Sequence, residues 1–355
     1  MVKLHDENYR GFASDNYAGA HPEVIAAIAE ANGGHQIAYG EDAYTARLQS
    51  VMTEHFGDQA EAFPVFNGTG ANVTALTSIL PRWGAVIATS TAHIHTDEGG
   101  APERISGLKL LTVPTPDGKL TTELIDREAW GWGDEHRAQP LAVSITQTTE
   151  LGTLYSVDEI RAIADHAHSL GMKLHMDGAR ISNAAAALGA PLREFTTDAG
   201  VDILSFGGTK NGALYGEAIV ALSPSASDGL IFLRKLNMQL ASKMRFVSAQ
   251  LIALLTDNLW FESARHANAM AAHLRRSLDH AISAGTISGL SFSQQTQANA
   301  VFAVLPNDAA DRIRERFRFY DWNRAAGEVR WMTAFDTTEA DVDAFVAAIS
   351  EELSA

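Results

Sequence analysis

Short apolar runs alternate with longer segments of helical spacing over the first two thirds of the chain. The runs cover residues 62–66, 86–88, 141–146, 172–176, 201–204 and 216–222, and glycine or polar residues bound most of them. Runs of this length and setting predict strands, whereas the apolar spacing in residues 43–56 predicts an amphipathic helix. Alternating strands and helices predict an α/β domain built on a mainly parallel sheet.

The clearest predicted helix begins at Ser156. Ser156 and Glu159 have the spacing of a capping box, in which each residue binds the other's backbone amide. The apolar residues that follow share one helix face before Gly171. The helix returns the chain to the strand at residues 172–176, so a right-handed crossover places Asp177 beside the end of the preceding strand.

The strand and helix alternation fades after residue 222. Residues 231–278 have mostly helical spacing, and short strands are predicted at residues 300–304 and 329–332. A last helix is predicted from the shared apolar face of Val342, Phe345, Val346, Ile349 and Leu353. A chain of 355 residues is long for one core, so we predict a large domain at residues 1–255 and a small α+β domain at residues 256–355.

Composition excludes several classes of protein. The formal net charge of -16 argues against nucleic acid or an anionic membrane as the main partner. The absence of cysteine removes disulfides, thiol nucleophiles and cysteine-based zinc sites. Neither a signal peptide nor an apolar run of the ~20 residues that span a bilayer is visible, so a soluble cytoplasmic protein is expected.

Two predicted strands end in residues that suggest one chemistry. Lys210 lies in Gly207-Gly208-Thr209-Lys210-Asn211-Gly212, and Asp177 and Arg180 follow another strand. The carboxyl ends of parallel strands meet where α/β proteins bind ligands. Pyridoxal 5'-phosphate needs a lysine for its aldehyde and an acid for its ring nitrogen. The alternatives are a solvated loop lysine and a plain Asp-Gly turn; Thr209 precedes Lys210, which argues against a nucleoside triphosphatase phosphate loop.

A phosphate site is predicted at the segment Asn-Gly-Thr-Gly-Ala-Asn of residues 67–72. It joins a predicted strand to a predicted helix. Free amides and the helix dipole both favour an anion at such a helix start. The alternative at this point is an ordinary tight turn between strand and helix.

Histidines mark two other polar segments. His93 and His95 share a predicted loop with Asp97 and Glu98, but no complete ligand set follows, so no metal is predicted. His93 stacked on an aromatic cofactor is the sharper alternative. His136 lies in a polar connection ahead of the strand at residues 141–146. Tyr39, taken alone, is predicted to serve packing.

These motifs together resemble the low-specificity L-threonine aldolase family, and most closely the branch that also accepts phenylserine. The resemblance spans nearly the whole chain and rests on six segments, at residues 14–16, 39–42, 67–72, 92–98, 175–180 and 208–212. It implies the aspartate aminotransferase-like fold, PLP fold type I, and a homotetramer with sites at subunit interfaces. Two segments depart from the family pattern, Asn16 and Thr146-Gln147-Thr148, and both fall near the expected cofactor.

The resemblance also implies residue roles. Lys210 would bond the cofactor aldehyde, Asp177 would pair with the pyridine nitrogen, and His93 would stack on the ring. Phosphate would lie on Gly68 and Thr69. The remaining cofactor contacts would be Thr209 and Arg180, and the substrate would contact Ser14, Arg180, Arg330 and Tyr39, with Tyr39 and Arg245 acting across an interface.

The implied reaction is PLP-dependent retro-aldol cleavage of L-threonine, L-allo-threonine and other β-hydroxy-α-amino acids to glycine and an aldehyde. His93 and His136 are the candidate bases for the β-hydroxyl proton. We favour His136, because a histidine stacked flat directs its nitrogens along the cofactor plane. The alternatives are another fold-type-I reaction, such as β-elimination or transamination, and a non-catalytic protein that binds a phosphate ligand.

Overall fold

The computed structural model describes residues 3–354 and contains two sheets. The larger is seven-stranded, in the spatial order β1-β7-β6-β5-β4-β2-β3. Only β7 runs against its neighbours, β1 and β6. The strands are β1 (Glu61–Val65), β2 (Gly84–Thr89), β3 (Lys109–Val113), β4 (Gln139–Thr146), β5 (Lys173–Gly178), β6 (Ile203–Gly207) and β7 (Glu217–Ala221). The predicted α/β class with a mainly parallel sheet is therefore confirmed.

Helices accompany this sheet along the chain. The helix predicted at residues 43–56 is present with those bounds, and the Ser156 capping box is present at its helix. The helices are α1 (Pro22–Glu30), α2 (Ala43–Phe56), α3 (Gly68–Ile79), α4 (His93–Thr96), α5 (Ala101–Arg104), α6 (Thr122–Asp126), α7 (Val157–Ser169), α8 (Ile181–Leu188), α9 (Leu230–Leu236), α10 (Arg245–Leu255) and α11 (Leu259–Ser283). Residues 93–96, predicted as loop, form the single turn α4.

The second sheet is antiparallel and lies near the end of the chain. Its order is β10-β11-β9-β8. It consists of β8 (Ser291–Phe292), β9 (Ala300–Val304), β10 (Tyr320–Asn323) and β11 (Glu328–Met332), with α12 (Asn307–Arg316) and α13 (Glu339–Glu352) beside it. The predicted α+β character of the tail is present, whereas β8, β10 and α12 were not predicted because their sequences are short or strongly polar.

Each sheet has its own hydrophobic core. The core of the small sheet is rich in aromatic side chains, and Phe345 stacks on Phe12 at 4.1 Å and meets Trp331 edge-on at 5.3 Å. Helix α11 contributes to both cores, with Trp260 in the larger and Leu274 in the smaller. We propose the two-domain division at residues 255 and 256, with α11 as the element that joins the domains.

One edge of the large sheet collects the polar strand ends. Strands β4, β5 and β6 end there side by side, with Asp177 paired to Thr146 and to Ser205. Because β7 is antiparallel, its first residue, Glu217, lies at the same edge, opposite Val65 and Gly207. None of the helices in residues 3–354 is both long and apolar enough to cross a membrane.

Candidate active site

Lys210 lies in a single 3-10 turn directly after β6. Close backbone approach explains the two glycines before it. A Cβ at Gly207 would lie 2.5 Å from the carbonyl oxygen of Ala179, and one at Gly208 would lie 2.7 Å from that of Gly216. The side chain of Lys210 reaches into two adjoining cavities.

The charge around Lys210 favours its neutral amine. Nearby Arg180 lowers the pKa of Lys210 most, and burial lowers that pKa further, although Asp15 and Asp177 oppose both effects. A neutral amine is the form that attacks a carbonyl. The lowered pKa therefore makes the nucleophilic form of Lys210 easier to reach.

The first cavity, called here the cofactor cavity, has a volume of about 490 Å³ and includes the start of α3. Asn67 caps the helix by accepting a hydrogen bond from the amide of Gly70 at 2.7 Å. Within residues 3–354 the amides of Gly68 and Thr69 have no hydrogen-bond acceptor. A Cβ at Gly68 would meet nothing within 4 Å, so there is room for a phosphate at these amides.

Asp177 is buried at the end of β5 and accepts two hydrogen bonds. The amide of Ala179 donates to its Oδ1 at 2.9 Å, and Nδ2 of Asn72 donates to its Oδ2 at 2.8 Å. Asn72 also donates to Oε1 of Glu98 at 2.8 Å, and that oxygen lies 3.0 Å from Nδ1 of His93. A continuous polar chain thus joins Asp177 to His93.

The same network favours the protonated form of His93. The hydrogen bond to Glu98 raises the pKa of His93 most, and it outweighs burial, which lowers that pKa. The charge of Asp177 adds to the increase. His93 borders both cavities.

Three groups of this network could also reach one cation. The ligand atoms of His93, Glu98 and Asp177 lie within 4.8 Å of one another. The amide of Asn72, however, donates to both carboxylates and so supplies the positive partner that a cation would provide. This geometry gives no support to a metal, and its absence stays a prediction.

The second cavity, called here the substrate cavity, has a volume of about 600 Å³ and holds two arginines. Arg180 is engaged by Asp15, because its Nε and Nη2 donate to the two carboxylate oxygens at 2.7 and 3.0 Å. Burial would raise the pKa of Asp15, but Arg180 holds it below its usual range. Ser14 lies beside this pair at the cavity wall.

Arg330 is the less satisfied arginine. Its guanidinium lies 5.1 Å from the ring of Trp322, and its buried Nε has no hydrogen-bond partner within residues 3–354. Burial lowers the pKa of Arg330 to about 10, with a further contribution from Arg180, so Arg330 stays charged at neutral pH. A buried N–H of a charged group without an acceptor is costly, and a substrate carboxylate would supply the missing acceptor.

Sequence reasoning assigned no role to two glutamates of this edge. Glu150 borders the substrate cavity, and Glu217 borders the cofactor cavity beside Lys210. Burial is the main cause that raises the pKa of each to about 7. Glu150 could have been identified as a site residue because it is a charged residue soon after a strand end. Glu217 could have been identified because it is a charged residue at the start of an apolar strand.

The structure brings most of the predicted site residues together. The cavities are bordered by, or rest on, Ser14, Gly68, Thr69, His93, Asp177, Arg180, Thr209, Lys210 and Arg330. Tyr39 is 49% exposed and lies outside both cavities, under the ammonium group of Lys235. Its role across an interface stays a prediction.

Within one chain, the structure does not bring His136 to the site. His136 is exposed in the loop before β4, whereas the site lies beyond the other end of that strand. An eight-residue parallel strand spans roughly 23 Å. His136 therefore cannot reach a substrate beside Lys210 of the same chain.

The combined donors fit pyridoxal phosphate. A lysine, free helix amides and a histidine border one cavity, and the buried carboxylate of Asp177 is joined to that histidine through Asn72 and Glu98. An arginine whose Nε has no partner within residues 3–354 borders the next cavity. The aldehyde, ring nitrogen, phosphate and ring face of the cofactor each have a matching partner in the first set. The arginine remains for a carboxylate of another molecule.

Comparisons with known proteins agree with this chemistry. Residues 11–304 match the family model described as "Beta-eliminating lyase". The low specificity L-threonine aldolase of a Pseudomonas species is 44% identical over 346 residues, which are 97% of this chain and 98% of that protein. The enzyme of the same description from Pseudomonas aeruginosa is 44% identical over 92% of this chain and 93% of its own.

A solved structure extends the similarity to the fold. The threonine aldolase of Leishmania major superposes with a TM-score of 0.88 and 30% identity, over 96% of this chain and 99% of that one. The predicted family resemblance and PLP fold type I are thereby confirmed. This chain belongs to the beta-eliminating lyase family and, within it, to the low specificity L-threonine aldolases.

Proposed function

We propose that this chain cleaves β-hydroxy-α-amino acids, among them L-threonine and L-allo-threonine, to glycine and an aldehyde. One observation carries the proposal: Lys210 borders both a cavity suited to pyridoxal phosphate and a cavity with Arg330, whose buried Nε has no hydrogen-bond partner within residues 3–354. An amino acid held by its carboxylate at that arginine would lie in a cavity that Lys210 also borders. The relatives named as threonine aldolases support the same reaction.

Five residues would hold the cofactor. Lys210 would carry it, Asp177 would pair with its ring nitrogen, His93 would lie on its ring, and Gly68 and Thr69 would bind its phosphate. When bound, the cofactor supplies an aldehyde for the substrate amine and a ring that withdraws electrons from Cα. Asp177 would keep the ring nitrogen protonated, because burial and two donated hydrogen bonds hold its carboxylate in place.

The arginines would select which bond breaks. Arg330 would take the substrate carboxylate, while Arg180, held by Asp15, would add charge from a fixed position. Ser14 would contribute one hydroxyl. Holding the carboxylate in one orientation leaves the Cα–Cβ bond where electrons can be withdrawn from it, which is positional catalysis.

The size of the substrate cavity supports a broad choice of side chain at Cβ. A volume of about 600 Å³ exceeds what the methyl group of threonine fills, and Trp322 forms part of its wall. An aromatic ring could pack against that indole. This favours phenylserine as a further substrate.

Exposed apolar residues support the proposed homotetramer. Ile231, Phe232 and Leu236 project from α9 and are 55%, 73% and 73% exposed, and Met238 beside them is 76% exposed. A contiguous exposed apolar patch is typical of a protein interface. Gln239, the next residue after Met238, contacts the start of α3. These exposed residues therefore lie near the cofactor cavity.

Product analysis tests the proposed reaction. Purified protein loaded with cofactor is incubated with L-threonine, L-allo-threonine and phenylserine, and glycine, aldehyde, ammonia and keto acid are quantified. Retro-aldol cleavage gives glycine and aldehyde in equal amounts. Ammonia or a keto acid without glycine would assign the chain to β-elimination or transamination instead.

Arg330→Ala should weaken amino-acid binding while cofactor binding stays near normal. A charge-assisted hydrogen bond contributes about 1.5–3 kcal/mol, so the dissociation constant for glycine should rise roughly 10- to 150-fold. Spectroscopic titrations with glycine and with cofactor measure both constants. Arg276→Ala, an exposed position on α11, serves as the control; unchanged glycine affinity in Arg330→Ala would make Arg330 a structural residue.

A further inference from the structure

We propose that Glu150 is the group that takes the proton from the substrate's β-hydroxyl, an inference that rests on the proposed function. Glu150 lies four residues beyond the end of β4, at the edge where β5 and β6 also end. It borders the substrate cavity together with Lys210 and Arg330. No role follows for it from the sequence motifs.

One oxygen of Glu150 is anchored and the other is not. Its Oε1 accepts hydrogen bonds from the amide of His93 and from Oγ1 of Thr146, both at 2.8 Å. Its Oε2 is buried and has no hydrogen-bond donor within residues 3–354. A buried carboxylate oxygen without a donor is costly, and a hydroxyl in the cavity, directly or through one water, would be that donor.

The surroundings of Glu150 place its titration near neutral pH. Burial raises its pKa most and Asp177 raises it further, whereas the hydrogen bonds from His93 and Thr146 lower it, and the result is about 7. A base with a pKa near the working pH transfers protons efficiently. The other titratable or charged groups at this cavity are His93, Asp97, Arg180, Lys210, Tyr320, Asp321 and Arg330.

The two rival groups are already engaged. The imidazole of His93 is bound to Glu98 through Nδ1, and its proposed place is flat on the cofactor ring, so its nitrogens point along the ring plane. Its backbone amide instead orients Glu150. Glu217 has a similar pKa, but it borders the cofactor cavity and not the substrate cavity.

The proton and electron movements balance. The β-hydroxyl proton moves to Oε2 of Glu150, and the electron pair of the O–H bond forms the second carbon–oxygen bond of the aldehyde. The pair of the Cα–Cβ bond leaves with Cα, which takes one proton that comes from solvent and becomes the Cα of glycine, while Glu150 releases the hydroxyl proton to solvent and is ionised again. One proton leaves oxygen and one is added to carbon, so no oxidant or reductant is needed.

Glu150→Gln tests the assignment with little change of shape. The amide oxygen can still accept from His93 and Thr146, but the side chain cannot take a proton. We expect kcat for L-threonine to fall by about 10²- to 10⁴-fold with cofactor still bound. Exchange of the glycine α-proton with deuterated water should persist, because that exchange moves no proton from a β-oxygen.

Glu135→Gln, an exposed change in the loop before β4, is the matched control and should leave both rates unchanged. Normal threonine cleavage in Glu150→Gln would overturn the inference. Equal loss of cleavage and of glycine exchange would also overturn it, because Glu150 would then serve the cofactor or Lys210. Wild-type protein that yields no glycine and aldehyde would instead overturn the proposed function.

A second variant keeps the carboxylate and shifts its titration. Thr146→Val removes one hydrogen bond to Oε1, which stabilises the ionised form, so the pKa of Glu150 should rise. As the base must be ionised, kcat/KM should rise with pH through about 7 in the wild type. That limb should move to higher pH in Thr146→Val; a limb that stays in place would contradict the assignment.

Infrared spectroscopy gives a readout that does not depend on turnover. The resting holoenzyme without substrate should have protonated-carboxyl bands from Glu150 and Glu217 that both titrate near pH 7. The Glu150 band should move with Thr146→Val and be lost in Glu150→Gln, while the Glu217 band is lost only in Glu217→Gln. If Glu150→Gln removed no band that titrates near pH 7, the assignment of Glu150 would be contradicted.

Discussion

Lys210→Ala is expected to abolish cleavage of L-threonine and the visible absorbance band of lysine-bound cofactor. The reason is chemical, because alanine has no amine to bond the cofactor aldehyde, and the amine of Lys210 is the one that reaches both cavities. Absorbance spectra and glycine production measure the two effects. The loss should be complete within the detection of the assay.

A matched lysine separates this effect from a general loss of charge. Lys109 is exposed on β3, away from the site, and Lys109→Ala should keep both band and turnover. Borohydride reduction of wild-type protein, followed by peptide mass analysis, should place the cofactor on Lys210. Near-normal absorbance and activity in Lys210→Ala would contradict the assignment of Lys210 as the lysine that bonds the cofactor.

Asp177→Asn is expected to leave the cofactor bound and to slow turnover by about a hundredfold or more. A charge-assisted hydrogen bond is worth up to about 3 kcal/mol, or roughly two powers of ten. A neutral amide cannot hold the ring nitrogen protonated, and its NH2 would face the donor of Asn72 or Ala179. Cofactor absorbance and kcat measure the two parts of this expectation.

Asp158→Asn is a suitable control, since Asp158 is an exposed acid on α7. It should change neither absorbance nor kcat. Unchanged turnover in Asp177→Asn would mean that Asp177 only stabilises the turn after β5. Loss of the cofactor itself would show that Asp177 contributes to binding more than to the reactivity of the ring.

The backbone elements that carry the site could be predicted from short sequence motifs, because each of these motifs determines the structure of only a few neighbouring residues. The glycines before Lys210 reflect close backbone approach, and the turn before α3 supplies free amides wherever it occurs. The capping box at Ser156 determined where α7 begins. Strand direction then placed Asp177 and Lys210 at one edge, since parallel strands end on the same side.

The side-chain partners could not be predicted in the same way. Asn72 joins Asp177, which is 105 residues away, to Glu98, and Asp15 meets Arg180 across 165 residues. Such pairs depend on strand order and on how helices pack, which no short motif encodes. Asp15, in particular, has the local sequence pattern of a turn residue, and its pairing with Arg180 is visible only in the folded chain.

For His136, the direction of β4 already indicates that the residue lies away from the site. It precedes β4, whereas the residues of the site follow the strands that carry them. Strand direction alone places His136 at the far edge. Glu150 follows the same strand and therefore lies at the site edge. The direction of β4 thus distinguishes Glu150 from His136.

The most direct test of the central claim uses L-threonine labelled with carbon-13 at Cβ. Cofactor-loaded protein is incubated with it, and the products are identified by nuclear magnetic resonance. Cleavage of the Cα–Cβ bond predicts unlabelled glycine and an equal amount of acetaldehyde that carries all of the label. Label in a four-carbon keto acid, with ammonia released and no glycine formed, would contradict the assignment.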